Sequence, residues 1–490
     1  MALGRPRRDG DQNPTSADTA AHPGEPGVGV DLAPPFVAGD EPTRWLFSLN
    51  RFGIRPGLSR IEGLLADLGH PEKKLRTIVT AGTNGKGSTT RIMARLLQDA
   101  GHKVATYTSP HLLRVHERIQ INDRSIEMAD FAARVEAIRP LTEKHEASWF
   151  ETLSALAVQI AADEGVDYLC CETGLGGRLD ASNALPAIAT LLTTVGLDHE
   201  RILGETLAEI AAEKMGLLKQ GVPFFTGVAE ELRGQAFISA VTAGSPCFFL
   251  DELARWPENG SDDWDLTLRA QVYNGLPDPG TPAMRRNVAL ALLTLTELAE
   301  SRGEKMLPAD PAVSLRNLFL PGRYQRVLKN PGWVFDTAHN PQALTQALRE
   351  FQRTPCAGRR VILFGAMLDK GLTSDLAPLL ADIDHVIGLP VSLPRSRTPA
   401  ELRELFAGLG LVSGEFAKLW QERCSVAPDM TSGLRAVAAG LQPDDQVLVT
   451  GSCFAVAEIL HRIGVKDLDE TREVREAQPM MARLQMTTGR

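Results

Sequence analysis

The chain has 490 residues, enough for roughly two to four domains, so a single small binding module is excluded. Its 43% hydrophobic and 23% charged residues are a globular composition, and the formal charge of -9 opposes nonspecific binding to nucleic acid or to an anionic membrane surface. Six cysteines with no CxxC pair and no zinc spacing fit a protein of the reducing cytoplasm.

Residues 1–40 mix Pro, Gly, Asp and Ala without an apolar period, and Arg5, Arg7 and Arg8 lead into no apolar signal core, so they read as a disordered extension. No apolar run reaches the length of about 18 residues that a membrane span needs; even Val288–Leu298 is cut by Thr and Glu297. From about residue 41, short β-rich runs alternate with helical periods, the pattern of a mostly parallel α/β sheet. A strand is predicted over 75–80, a helix over 88–99 ended by Gly101, and a strand over 104–108, which together make a βαβ unit. Further strands are predicted over 168–172 and 189–195, helices over 206–218 and 284–300, and a loop-prone stretch over 251–280. A second set of strands, 333–336, 360–364, 385–389 and 446–450, predicts a smaller α/β domain. The junction falls at Leu320-Pro321-Gly322-Arg323, where Pro and Gly break a helix. The charged, weakly periodic tail, 466–490, reads as a surface helix or disorder.

The first strand runs into Ala81-Gly82-Thr83-Asn84-Gly85-Lys86-Gly87-Ser88 and then a helix. Glycines allow backbone N–H groups to converge, the helix start adds partial positive charge, and Lys86 adds a full one, so the segment is expected to bind phosphate. The strict Walker pattern is missed twice: Thr80 takes its first glycine position, and Gly87 separates Lys86 from Ser88. A glycine turn that only caps a helix is the alternative, and the strand, lysine and helix around this one weigh against it. A nucleoside triphosphate held there needs Mg²⁺ and oxygen ligands. Glu172 is well placed to be one, at the carboxyl end of a predicted strand just before Gly174-Leu-Gly-Gly177.

The Gly82–Ser88 loop, Thr108-Ser-Pro-His111, Glu117-Arg-Ile119, the run from Glu172 to Asn183, Leu197-Asp-His199, Glu213-Lys-Met-Gly216 and Asp336-Thr-Ala-His-Asn-Pro341 occur in that order. Over residues 41–465 this resembles the folate branch of the Mur ligase superfamily, folylpolyglutamate synthase and dihydrofolate synthase. The resemblance implies an α/β fold with a P-loop ATP-binding domain (41–321) built on a central mostly parallel sheet. A smaller Rossmann-like glutamate-ligase domain (322–465) follows.

It also implies ATP and two Mg²⁺ ions. By motif, the phosphate loop Gly82, Thr83, Asn84, Gly85, Lys86, Gly87 and Ser88 would hold the triphosphate, Asn287 the adenine and Asp336 the ribose. Arg323 would reach the triphosphate, and Ser109, Glu172 and His199 would hold one metal, with Asp198 orienting His199. Lys214, carbamylated by CO₂, would hold the second ion; Met215 replaces the more usual alanine beside it. His339 would lie near the γ-phosphate, and Asp180 would contact the pterin unless it only closes an Asx turn. Asp369-Lys370 resembles a loop of the family's second domain, and the basic turn 392–397 is expected to meet the incoming glutamate.

The implied activity is ligation of L-glutamate to dihydropteroate and to the γ-carboxylate of reduced folates through an acyl phosphate, by a monomer. A monofunctional folylpolyglutamate synthase is the alternative. A Mur-type cell-wall ligase would need a further N-terminal domain that forty residues cannot supply, and a P-loop switch or motor leaves Asp336 and His339 unexplained.

Overall fold

A computed structural model describes residues 39–53, 55–257, 263–410, 420, 422–477 and 479. Most of the predicted extension, 1–38, and the end of the tail lie outside the described residues.

Two large sheets organise the chain. The first contains β1 (Arg76–Ala81), β2 (Val104–Tyr107), β3 (Ile119–Ile121), β4 (Arg124–Ser125), β5 (Tyr168–Glu172), β6 (Ala187–Leu192), β7 (Phe224–Thr226) and β8 (Cys247–Phe249), in the order β4-β3-β2-β5-β1-β6-β7-β8. Its pairings are parallel except for β2 with β3 and β3 with β4. Strand β1 lies between β5 and β6, so the loops after all three open at one end of the sheet's centre. Such strands are apolar on both faces because both faces are covered. The helices Lys86–Asp99 and Pro282–Arg302 pack on one side through Ile92, Leu96, Leu292 and Leu295. On the other side Leu153, Leu156 and Ile160 of the helix Trp149–Asp163 pack with Phe131 and Leu64.

The stretch 251–280, expected as a loop, forms a three-stranded antiparallel sheet of β9 (Ala254–Arg255), β10 (Asp263–Leu268) and β11 (Gln271–Pro277). Trp264, Leu266 and Leu268 alternate inward against the helix Pro282–Arg302. This period of two was hidden among flanking Pro, Gly and Asp residues.

The second sheet contains β12 (Gln325–Lys329), β13 (Gly332–Phe335), β14 (Arg360–Phe364), β15 (His385–Gly388), β16 (Cys424–Val426), β17 (Gln446–Thr450) and β18 (Arg475–Glu476), in the order β16-β15-β14-β17-β13-β12-β18. Helices cover both of its faces. The segment after 465, expected as a surface helix or disorder, instead joins this sheet: β18 pairs in parallel with β12, and Leu468 and Ala477 are buried. Ala477 and Leu468 are too widely spaced for local periodicity to reveal them.

At the junction between the sheets Gly322 has φ +64, and a Cβ there would lie 2.8 Å from Thr337 Cγ2. The chain therefore turns at a position that favours glycine. Arg472 returns from the second sheet to the first. It donates to Asp123 Oδ2 at 3.1 Å and to the Asp123 carbonyl at 2.9 Å, and its guanidinium lies 4.2 Å from the centre of the Phe319 ring. Among the described residues no helix is long and apolar enough to cross a membrane.

Candidate active site

The phosphate loop leaves β1 and is clamped by the turn after β6. Thr83 N–H donates to the Thr194 carbonyl at 2.7 Å, Asn84 N–H donates to Thr194 Oγ1 at 3.1 Å, and Thr193 Oγ1 donates to the Asn84 carbonyl at 2.6 Å. Gly85, φ +86, is the N-cap of the helix Lys86–Asp99, and a Cβ there would lie 2.5 Å from Asn287 Oδ1. The adenine candidate Asn287 is thus packed against the phosphate loop. Ser88 is buried in the first turn of that helix.

Lys86 Nζ lies 3.3 Å from the Thr83 carbonyl and 4.0 Å from Glu172 Oε1. Glu172, at the end of β5, accepts the Ser109 backbone N–H at 2.9 Å. A Cβ on Gly87 would come within 2.9 Å of Glu172 Oε2, so the glycine lets helix and carboxylate approach. Burial pushes the Glu172 carboxyl up, opposed by Lys86, the Ser109 N–H, Arg323 and Arg91.

Ser109 sits in a braced loop. Glu117 Oε2 accepts the Leu112 and Leu113 N–H groups at 3.0 and 3.1 Å, and Oε1 accepts that of Arg114 at 2.8 Å. The fold thus uses Glu117, whose role the sequence did not reveal, to shape the segment that follows Ser109. Arg91 is a second residue that sequence reasoning passed over: half-buried, it donates to Gln120 Oε1 at 2.7 Å and contributes positive charge near Glu172.

Lys214 is buried, donating to the Gly82 carbonyl at 3.0 Å. Desolvation first, and Lys86 second, push its amine down to about 7. His199 caps a short helix with φ +53, and its imidazole is pushed down to about 4 by desolvation, with Lys370 and Lys86 adding to the effect against the pull of Asp198. It is therefore neutral near pH 7, as a metal-ligating imidazole must be.

The second domain faces this loop. Asn340 Nδ2 donates to Asn84 Oδ1 at 3.0 Å, and Asn84 Nδ2 donates to Gln342 Oε1 at 2.9 Å. His339 Nε2 lies 3.6 Å from Asp198 Oδ2, and Lys370 donates to Asp198 Oδ1. Arg323 donates to Thr337 Oγ1, and its charge reaches both Glu172 and Asp336. Asp336 accepts the Tyr324 and Ala338 N–H groups at 2.7 and 2.8 Å. These bonds fix its position at the end of β13.

Asp180 is held in a different way from an open substrate contact. Its carboxylate accepts Gly174 N–H and Leu175 N–H at 2.9 Å each, Ser182 N–H at 3.0 Å and Ser182 Oγ–H at 2.6 Å. This is the turn-closing arrangement, and it shapes the Gly174–Gly177 segment beside Glu172. Cys170 and Cys171 are buried and their thiols are pushed up by desolvation, as apolar-like residues should be, whereas Cys453 is only half-buried.

Among the described residues no three His, Cys, Asp or Glu side chains converge at metal-ligand spacing. The donors nevertheless suit Mg²⁺, which keeps several waters and takes few protein oxygens. Glu172 is a buried carboxylate whose charge Lys86 offsets only from 4.0 Å, Ser109 is adjacent, and the His199 imidazole is neutral.

A helix-capped phosphate loop facing a second α/β domain is the architecture of a two-domain nucleotide-dependent ligase, and residues 322–453 match the Mur ligase, glutamate ligase domain. The chain is 30% identical over 446 residues to the dihydrofolate synthase/folylpolyglutamate synthase of Bacillus subtilis, covering 87% of this chain and 100% of that protein. It superposes on Escherichia coli FolC in complex with DHPP and ADP at a TM-score of 0.73 and 28% identity, covering 88% and 99% of the two chains. The Yersinia pestis bifunctional folylpolyglutamate synthase/dihydrofolate synthase complexed with AMPPNP and Mn ion gives 0.71 and 28%, covering 86% and 97%. The chain belongs to the dihydrofolate synthase/folylpolyglutamate synthase family.

Proposed function

We propose that this protein is an ATP-dependent ligase that joins L-glutamate to dihydropteroate, giving dihydrofolate, and to the γ-carboxylate of reduced folates, giving folylpolyglutamates. The observation that carries this reading is a loop whose Lys86 lies 4.0 Å from the buried Glu172 and whose Asn84 is hydrogen-bonded to Asn340 of a glutamate-ligase domain. ATP and a divalent metal are the cofactors, consistent with nucleotide and Mn in the Yersinia pestis relative. When bound, Mg²⁺ would sit with Ser109, Glu172 and His199 and neutralise phosphate oxygens.

The chain's own residues do the rest. Lys86 and the N–H groups of residues 82–88 hold the triphosphate, Asn287 the adenine, Asp336 the ribose, and Arg323 and His339 approach the terminal phosphate. The substrate carboxylate attacks the γ-phosphorus, ADP leaves, and an acyl phosphate forms. The α-amine of glutamate then attacks the acyl carbon and inorganic phosphate departs, carrying one oxygen of the original carboxylate. The low amine pKa of Lys214 suits carbamylation, which converts it into an anionic oxygen ligand for a second ion. Asp180 serves the pterin side by shaping the Gly174 turn. Each chain carries both halves of the site, so a monomer suffices, and the lack of any disulfide among the described residues suits the cytoplasm.

The test is oxygen transfer. Dihydropteroate labelled with ¹⁸O in its carboxylate is expected to deliver one labelled oxygen to inorganic phosphate for each dihydrofolate formed. Unlabelled phosphate accompanying dihydrofolate would reject the acyl-phosphate route.

A further inference from the structure

Asp198 belongs to the first domain, on the turn after β6, yet three groups of the second domain end on its carboxylate. Lys370 donates to Oδ1, Asn340 Nδ2 donates to Oδ2 at 3.3 Å, and His339 Nε2 faces Oδ2 at 3.6 Å. The same Oδ1 accepts the backbone N–H of His199 at 2.9 Å. The His199 backbone is left-handed, φ +53, a conformation that a non-glycine residue keeps only when its surroundings hold it there.

The Lys370 side is built with equal care. Its carbonyl accepts Arg397 Nε and Nη2 at 3.1 and 2.8 Å, and Arg397 Nη2 also donates to the Leu368 carbonyl at 3.1 Å. Leu368 N–H donates to the Arg395 carbonyl at 3.0 Å. A rigid loop therefore delivers the ammonium, whose side chain is 14% exposed, to a carboxylate that is 8% exposed. A buried ion pair is weak evidence for stability, because desolvation of both charges offsets most of their attraction. Its location gives it a different use: it joins the second domain to the residue next to His199, the proposed metal ligand.

We propose that Lys370 is a positioning residue that, through Asp198, sets the His199 turn only when the two domains are closed, so that metal binding at the nucleotide is coupled to closure around glutamate. This rests on the assignment of His199 as a metal ligand in the ligase reading. Among the described residues, Lys370 makes no hydrogen bond or ion pair with the phosphate loop, its ammonium facing Asp198 and Asp369 instead, so nucleotide affinity should survive its loss while metal affinity and turnover should not.

The test compares the full chain carrying Lys370→Met, Lys370→Gln or Lys370→Arg with wild type. Mn²⁺ binding to the enzyme–ADP complex is read by electron paramagnetic resonance, ATP KM and kcat by product formation, and the thermal midpoint separately. For Lys370→Met and Lys370→Gln we expect Mn²⁺ affinity about tenfold weaker and kcat about 10–100-fold lower, with ATP KM within about threefold of wild type. Arginine, which keeps the charge, should recover part of both. If Lys370→Met does not fold, Lys370→Gln decides the matter. Wild-type Mn²⁺ affinity in a folded charge-removing variant overturns the proposal, whatever happens to kcat. Failure of the ligase reading is seen separately, as wild-type protein that makes no glutamylated product.

Discussion

An ordinary lysine near pH 7 is almost entirely protonated, since its amine titrates near 10.4. Lys214 is buried beside Lys86 and its amine is pushed down to about 7, so a large fraction is neutral and nucleophilic toward CO₂ at neutral pH. The sign follows from linkage. The folded lysine releases its proton near 7 and the unfolded one near 10.4, so the unfolded chain binds more protons in between, and the penalty of burying this residue is relieved as pH rises across that window. Below about 7 both forms are protonated and carbamylation is lost. With ¹³C-labelled bicarbonate and the metal, a protein carbamate carbon signal is therefore expected at pH 8, weakened at pH 6 and absent from Lys214→Met, whose turnover should fall about 100-fold. A wild-type protein without that signal at pH 8 would contradict the assignment. Sequence alone placed Lys214 on a helix, but only the packing against Gly82 makes its amine unusual.

The phosphate loop, read as an element, joins a strand end, a positive-φ glycine and a helix start. Gly85→Ala adds a Cβ in the left-handed region and drives it into Asn287 Oδ1. Strain of about 1 kcal/mol, together with displacement of the asparagine, should raise the ATP KM about tenfold and lower the thermal midpoint by a few degrees; unchanged nucleotide affinity would show that the loop tolerates the side chain. This element was legible in the sequence because its chemistry is local: strand, glycines, Lys86 and helix are contiguous. The strands that form the centres of the two sheets were legible for the same reason, as short apolar runs between helical periods. The sheet of β9, β10 and β11 was not, because its inward alternation at Trp264, Leu266 and Leu268 is short and flanked by turn residues. Strand β18 was not either, since two residues gain their meaning only from β12, far away in sequence.

At the scale of the molecule, function depends on bringing residues from two domains to one cleft. Motifs pointed to Lys86, Glu172, His339 and Asp336 one by one, but not to the contacts between Asn84 and Asn340 or between Asp198 and Lys370, which join positions more than a hundred residues apart. Asp180 shows the converse. Its motif pointed to the pterin, while three backbone N–H groups and a serine hydroxyl already hold its carboxylate. The outcome that matters most is the bond the whole assembly makes. Purified protein should be incubated with ATP, Mg²⁺ and L-glutamate, with dihydropteroate in one reaction and tetrahydrofolate in another, and the products weighed by mass spectrometry. Each substrate is expected to gain the mass of one glutamyl residue, with further additions on the folate. ATP hydrolysis with no glutamylated product from either substrate would contradict the account.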